Sequence, residues 1–125
     1  DGILMGLLLM EIVAEANAPL SELIDDLQGE VGPTCYKRDD IRLKNFVAKS
    51  EMVNRLLDRT TEKIAGERVV KVDSYDGVKY HLADDGWLLI RPSGTEPVLR
   101  VYAEAGDEAA VDELLRTGRE LSGAQ

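Results

Sequence analysis

The sequence predicts an α+β domain: a small antiparallel or mixed sheet of about four strands packed on two helices, with further helices in front of it. Two observations predict this class. Between residues 69 and 104, short apolar runs alternate with polar neighbours at the period of two that half-buried strands show. Residues 45–64 and 107–121 instead carry apolar side chains at helical spacing. With 44% hydrophobic and 31% charged residues, the chain is expected to fold.

The first 33 residues are predicted to be helical. Asp1 is placed to cap a helix from about Gly2 to Ala16, whose nearly continuous apolar surface is typical of a helix buried on most sides. Asn17-Ala18-Pro19 ends it, and Ser21 is predicted to cap a second helix that runs through Leu27. Gly29 to Pro33 is predicted to be a hinge. Without a covering partner, the first helix is expected to be a sticky patch that promotes self-association.

The rest of the chain alternates strands and helices. Asp84-Asp85-Gly86 is a hairpin turn, Trp87 is assigned to the core, and Asp107 caps the last helix. The predicted elements, in order, are a strand at 34–39, a helix at 45–64, strands at 69–72, 78–82, 87–90 and 98–104, and the C-terminal helix.

Charge and cysteine usage exclude several classes of function. A net charge of −9 argues against nucleic acid or an anionic membrane as a partner, because both require a basic face. The apolar run Ile3 to Ile12 is too short for a membrane span. The single cysteine, Cys35, excludes an internal disulfide and is typical of a reducing compartment, so a cytoplasmic location is expected.

The segment Arg91-Pro92-Ser93-Gly94-Thr95-Glu96-Pro97, called here the 91–97 segment, predicts a phosphate site. Arg91 offers a planar fork of donors, and Ser93 and Thr95 add hydroxyls on either side of Gly94. Gly94 lets backbone N–H groups approach an anion and tolerates a positive φ. The two prolines stiffen the ends. An ordinary rigid hairpin is the alternative.

Two charged residues near this segment are assigned supporting roles. A carboxylate repels phosphate, so Glu96 is expected to contact Arg100, a backbone amide or a sugar hydroxyl. Arg100, on the following strand, is a candidate for a supporting role behind the direct phosphate contacts.

The 91–97 segment and its continuation Val98 to Ala105 resemble the phosphate-binding loop of the α-D-phosphohexomutases, the phosphoglucomutases, phosphomannomutases and phosphoglucosamine mutases. The opening residues Asp1 to Ile12 resemble the last long helix of that family's third domain. The continuation is modestly more similar to the phosphoglucomutase/phosphomannomutase branch. The resemblance implies that residues 1–28 are the end of the third domain, 29–33 a hinge, and 34–125 a phosphate-binding fourth domain with a sheet like that of the TATA-box-binding protein.

The resemblance also implies the activity. The parent enzyme would interconvert hexose 1-phosphate and hexose 6-phosphate through a hexose 1,6-bisphosphate, with a phosphoserine and Mg²⁺ held by the first three domains, whose motifs are absent from these 125 residues. Arg91, Ser93, Gly94 and Thr95 would hold the phosphate that is not being transferred. The chain would then be a C-terminal fragment without catalytic residues, inactive by itself.

Two other function classes remain open: a free-standing module that binds a phosphorylated small molecule or phosphopeptide, and an interaction domain that docks a partner through its first helix. Other chemistry-bearing residues are expected to be structural. His81 is predicted to be a surface or structural histidine and Cys35 a half-buried small residue. Tyr75-Asp76-Gly77 is interpreted as a structural turn. The acidic pairs are expected to be solvated caps at helix ends or turns; they are Asp25-Asp26, Asp39-Asp40 and Asp84-Asp85.

Overall fold

The computed structural model describes residues 1–123 and divides into two compact units, residues 1–33 and the part of the chain from Thr34 onward. Its helices, in chain order, are α1 (Gly2–Ala16), α2 (Leu20–Val31), α3 (Lys49–Asp58) and α4 (Glu108–Ser122). Its strands are β1 (Cys35–Arg42), β2 (Lys63–Ile64), β3 (Glu67–Asp73), β4 (Val78–Leu82), β5 (Trp87–Pro92) and β6 (Val98–Ala105). The α+β class predicted from the sequence is confirmed.

The first unit is a pair of helices. Asp1 caps α1 as predicted, its Oδ1 accepting from the backbone N–H of Ile3 at 3.0 Å. Asn17 ends α1 in the left-handed conformation. The predicted start and end of α2 are wrong. Pro19 is its N-cap residue, extended and without a side-chain cap bond, and α2 continues to Val31.

Neither helix of this unit has a buried residue. The large apolar side chains of α1 are exposed around much of its circumference, from 41% at Leu8 to 79% at Ile3. In residues 1–123 no single helix is both long and apolar enough to cross a membrane. The helices α1 and α2 reach that length and apolar character only when taken together, and the angle between them is 87°.

The second unit is built on a six-stranded antiparallel sheet in the order β1-β6-β5-β4-β3-β2. The additional short strand β2 and the length of α3 correct the sequence prediction. The helix predicted over 45–64 is limited to Lys49–Asp58, and Ile64 is buried in β2 instead. Ala65 and Gly66, with φ of 50° and 87°, form the two-residue turn between β2 and β3. This turn escapes prediction because alanine rarely adopts a positive φ.

One face of the sheet forms the core under α3 and α4. Because side chains alternate along a strand, the odd residues of β6 from Leu99 to Ala105 and the even residues of β4 and β5 point to this face and are buried. Tyr80 is buried there, its hydroxyl donates to the carbonyl of Leu56 in α3 at 3.1 Å, and burial raises the pKa of the phenol.

The opposite face, called here the outer face, is partly exposed and carries the other set of side chains. Trp87 lies on the outer face, so its assignment to the core is wrong. Because side chains alternate along β5, Trp87 shares a face with Leu89 and Arg91, whereas Leu88 and Ile90 point to the core. The Trp87 ring lies 6.2 Å from that of Tyr36, centroid to centroid, and Lys79 Nζ lies 3.9 Å above it.

Helix α4 approaches the sheet closely at Gly118. A Cβ built on this residue would lie 2.6 Å from Cγ1 of Val101 and 3.2 Å from Cδ1 of Leu88. The N-terminus of the helix is capped as predicted, by Asp107 Oδ1 accepting from Ala110 N at 2.8 Å. The absence of a side chain at 118 therefore sets the distance between α4 and β5–β6.

Gly118→Ala is expected to lower the stability of the chain. Overpacking costs about 1–3 kcal/mol, which the gain of up to about 1 kcal/mol in helix propensity offsets only in part. Urea denaturation followed by circular dichroism measures the difference. Gly106→Ala, where a Cβ would meet open space, is the control and should change stability little. An unchanged midpoint for Gly118→Ala would contradict this description of the packing.

Removing residues 1–33 is expected to abolish self-association of the chain. The apolar side chains of α1 are exposed, whereas every buried apolar residue of the core lies in the second unit, so residues 34–125 retain the core. Sedimentation equilibrium of the full chain and of residues 34–125 gives the comparison. Equal association of the two proteins would assign it to the second unit instead.

Candidate functional site

The 91–97 segment joins β5 to β6, two neighbouring antiparallel strands. Arg91 and Pro92 are the last residues of β5 and pair with Arg100 and Leu99 of β6. Pro92 lies beyond the last residue pair of β4 with β5, so its missing N–H removes no bond between those strands. The prediction that the segment connects two adjacent strands is confirmed.

Backbone hydrogen bonds hold both ends of the connection. Ser93 N donates to Val98 O at 2.8 Å, and Leu43 N, just after β1, donates to Pro97 O at 2.8 Å. Inside the loop, Val98 N donates to Glu96 O at 2.8 Å, and the Ser93 hydroxyl oxygen lies 3.5 Å from Thr95 N. Ser93 is buried, whereas Gly94 to Pro97 are exposed. The loop is therefore a short exposed arch with fixed ends.

Gly94 lies at the exposed part of this arch, and packing does not explain why it is glycine. A Cβ built on it would have no neighbour within 4 Å, and Gly94 is not among the described glycines with positive φ. The positive φ that glycine tolerates is therefore not used at this position. What glycine provides here is an unobstructed backbone above the loop.

Arg91 and Arg100 are directly opposite each other on β5 and β6, so both side chains lie on the outer face beside the loop. Like charges directly opposite on neighbouring strands are destabilising. Nε of Arg100 is buried and has no hydrogen-bond partner within residues 1–123. Asp40 is opposite Arg100 on β1, but its carboxylate is hydrogen-bonded to Arg38 at 2.5 and 2.6 Å.

Arg91 has an acidic partner that the sequence interpretation did not assign. Asp76, in the turn between β3 and β4, places Oδ2 2.8 Å from Nε of Arg91 and Oδ1 2.5 Å from Nζ of Lys49, the first residue of α3. The hydrogen bond from Lys49, together with the charges of Arg91 and Lys49, lowers the pKa of the Asp76 carboxyl. The only sequence signal for this contact is the Asp-Gly pair before the strand adjacent to β5.

Gly77 lets this turn contact β5. Its φ is 96°, and a Cβ there would lie 2.4 Å from the carbonyl oxygen of Ile90 and 2.9 Å from Cα of Arg91. The turn is therefore packed against the backbone of Arg91 itself. The structural role predicted for Tyr75-Asp76-Gly77 is only part of what the turn does.

The remaining predicted residues lie apart from this group. Glu96 is exposed and forms no ion pair with Arg100 among the described residues. His81 contacts Asp73, Nε2 to Oδ2 at 2.9 Å, and Cys35 is half-buried against the core, both as expected of structural residues.

The acidic pairs do not all lie where they were expected. Asp84-Asp85 is in a turn as predicted, but Asp25-Asp26 is inside α2 and Asp39-Asp40 is inside β1. Asp39 instead pairs with Arg119 of α4 at 2.5 Å, which ties the strand to the helix. In residues 1–123 no three His, Cys, Asp or Glu side chains are grouped so as to hold a metal ion.

The sequence of this α+β unit matches a known family model. Residues 47–118 match the model of the phosphoglucomutase/phosphomannomutase C-terminal domain, which is more than half of the chain and includes the whole 91–97 segment. The chain belongs to the phosphohexomutase family. The resemblance seen in the sequence is thereby confirmed.

Curated relatives extend the match to nearly the whole chain. It is 39% identical over 121 residues to a phosphoglucosamine mutase of Methanococcus aeolicus, covering 97% of this chain and 25% of the relative. It is 40% identical over 110 residues to a phosphopentomutase of Thermococcus kodakarensis, covering 88% and 23%. A phosphoglucomutase/phosphomannomutase of the same organism is 34% identical, covering 97% and 24%. The chain thus spans about a quarter of the length of these relatives.

Gly77→Ala is expected to destabilise the second unit more than a matched glycine substitution does. Gly66→Ala shares the strain of a positive φ, but a Cβ at 66 meets nothing within 4 Å, whereas one at 77 collides with the β5 backbone. The additional loss is expected to be about 1–3 kcal/mol. Urea denaturation of both variants gives the two free energies of unfolding, and equal losses would show that the close contact has no energetic consequence.

Proposed function

We propose that the 91–97 segment, together with Arg100, binds the phosphate group of a sugar phosphate in an enzyme that moves a phosphoryl group between two positions of the sugar. In this enzyme the segment holds the phosphate that is not being transferred. The substrates are hexose 1-phosphate and hexose 6-phosphate, and a hexose 1,6-bisphosphate is the intermediate.

The opposed pair Arg91 and Arg100 is the observation that carries this proposal. Two guanidinium groups directly across a strand pair repel each other, and the buried Nε of Arg100 has no hydrogen-bond partner in residues 1–123, although the charge of Asp40 acts on Arg100. A phosphate dianion at this position would neutralise the repulsion and accept hydrogen bonds from both forks. This assigns Arg100 a direct role, beyond the supporting one that the sequence indicated.

Ser93, Gly94 and Thr95 supply neutral donors on the other side of the anion. The Ser93 and Thr95 hydroxyls and the exposed backbone of the arch can donate to phosphate oxygens, and Gly94 keeps a side chain out of their way. Because the ends of the arch are fixed by hydrogen bonds, little conformational entropy remains to be lost on binding.

The catalytic step belongs to other domains of the enzyme. The phosphoserine motif that the family resemblance implies does not appear in these 125 residues. A Mg²⁺ ion would supply charge stabilisation during phosphoryl transfer, but the described residues do not offer a ligand set that fits it. The contribution of this domain is to position the substrate, and closure of the domain over the sugar would exclude water. The single cysteine favours a cytoplasmic enzyme.

Binding to this chain alone should be weak. About four charge-assisted hydrogen bonds at ~1.5–3 kcal/mol each give on the order of 6–12 kcal/mol. Association costs at least ~4 kcal/mol, and ordering of the ligand adds to this. At most ~2–8 kcal/mol remains before that ordering cost, and the lower half of this range is compatible with a dissociation constant near ~1 mM or weaker. The chain is therefore expected to bind phosphate weakly and to have no mutase activity by itself.

The donors in this segment recognise phosphate and do not select the sugar. The names of the relatives include glucosamine, glucose, mannose and pentose phosphates, and all three relatives align with most of this chain. Selection among sugars is accordingly assigned to the parts of the enzyme beyond these residues.

The exposed apolar surface of α1 favours one alternative, an interaction domain that docks a partner. The truncation of residues 1–33 described above separates the two, because that function resides in the first unit and phosphate binding in the second.

Arg91→Ala is expected to weaken phosphate binding about tenfold or more, because it removes a two-pronged charge-assisted contact. Amide NMR titrations with glucose 6-phosphate measure this, and wild-type shifts should be confined to Ser93, Gly94, Thr95 and their neighbours. Arg68→Ala on β3 is the charge-matched control and should bind as the wild type does. No shifts in the wild-type chain even at ~100 mM ligand, about a hundred times the tightest expected dissociation constant, would contradict the proposed function.

A further inference from the structure

The carboxylate of Asp76 lies at the edge of the candidate site. It contacts Arg91 through Nε, at 2.8 Å, and Lys49 through Nζ, at 2.5 Å. A negative charge next to a phosphate site weakens binding by repulsion. If the site binds phosphate, Asp76 must therefore contribute to binding in some other way that offsets this repulsion.

The geometry of the Arg91 guanidinium shows how Asp76 can do so. A guanidinium has five N–H donors in a rigid planar fork, one on Nε and four on the two Nη groups. The ion pair places the Asp76 carboxylate 2.8 Å from Nε without a hydrogen bond between them, and neither Nη group of Arg91 is in an ion pair or hydrogen bond among residues 1–123, so both can bind a second anion. An arginine already held at Nε loses less rotational freedom when that second anion binds.

Asp76 is itself held from two directions. Gly77 brings its turn into contact with the backbone of Ile90 and Arg91, and Lys49 at the start of α3 binds the second carboxylate oxygen. Lys49 also offsets the charge of Asp76, so the group of Lys49, Asp76 and Arg91 has two positive charges and one negative. The orientation of Arg91 is thus linked to α3, β4 and β5 together.

We infer that Asp76 is a positioning residue for Arg91: it holds the guanidinium through Nε so that both Nη groups bind the substrate phosphate. Lys49 neutralises the carboxylate and fixes its direction. This inference rests on the proposed function, because it assumes that Arg91 binds phosphate.

Replacement of Asp76 gives opposite results for the two roles that a carboxylate can have here. If the carboxylate acts only as a nearby negative charge, or only holds the turn in place, Asp76→Ala should leave anion affinity unchanged or raise it. If it positions Arg91, the same substitution should lower the affinity although a repulsive charge has been removed. The sign of the change decides between them.

The experiment is an NMR titration of the full 125-residue chain with glucose 6-phosphate and with inorganic phosphate. Asp76→Ala is expected to raise the dissociation constant about three- to tenfold. Asp76→Asn, which keeps an oxygen acceptor of the same shape, should restore part of the affinity. Asp73→Asn is the matched control, because Asp73 also pairs with two basic side chains of the sheet, Lys71 and His81, without contacting Arg91. Its dissociation constant should equal that of the wild type.

A second measurement addresses positioning without ligand. Relaxation of the Arg91 Nε resonance should show a restrained guanidinium in the wild type and in Asp73→Asn, and a more mobile one in Asp76→Ala, because the ion pair that restrains it is lost. If Asp76→Ala fails to fold, Lys49→Gln provides the test, since it releases one side of the carboxylate and should produce a smaller change in the same direction.

Unchanged or tighter binding by Asp76→Ala, with a normal wild-type titration, would overturn this inference and leave the proposed function intact. A wild-type chain that does not respond to either ligand would contradict the proposed function, and the inference with it.

Discussion

The antiparallel pairing of β5 with β6 is the constraint on which the candidate site depends. Its register places Arg91 opposite Arg100, and the same pairing closes the 91–97 segment into an arch through the bond from Ser93 N to Val98 O. A shift of one residue would move one arginine to the face covered by α3 and α4, where its charge would be buried without a partner. The buried core face thus fixes the register, and the register fixes the arrangement of charges on the outer face.

Most elements with a clear period could be predicted from the sequence. The strands at 78–82 and 98–105 alternate strictly, and α1 has a clear capping residue at its start. The sequence predictions were wrong where one local pattern was compatible with two different structures. Ile64 continues a helical spacing but is buried in a two-residue strand, and Trp87 is a large aromatic residue on the less covered face of its strand. In both cases tertiary packing, which a short window of sequence does not contain, decides the outcome.

The residues of the candidate site likewise include some that could be predicted from the sequence and some that could not. The residues within one short segment, Arg91 to Thr95, could be proposed together because their chemistry and spacing are visible in the sequence. The contacts from Asp76 and Lys49 could not, because these residues come from a turn and a helix start that lie 15 and 42 positions away from Arg91 along the chain. For Gly94 the sequence indicated the missing side chain as the useful feature, and a Cβ built there would have no neighbour within 4 Å.

The position of Trp87 has a practical consequence for spectroscopy. It is the only tryptophan in the chain, it is partly exposed, and the ammonium group of Lys79 lies against its ring. Its fluorescence therefore reports on the solvated side of the sheet and on the electric field of that cation, and it is a poor monitor of the interior beneath the helices. Because Trp87 and Arg91 lie on the same side of one strand, the indole is an intrinsic optical probe for events near the arginines, available without chemical labelling.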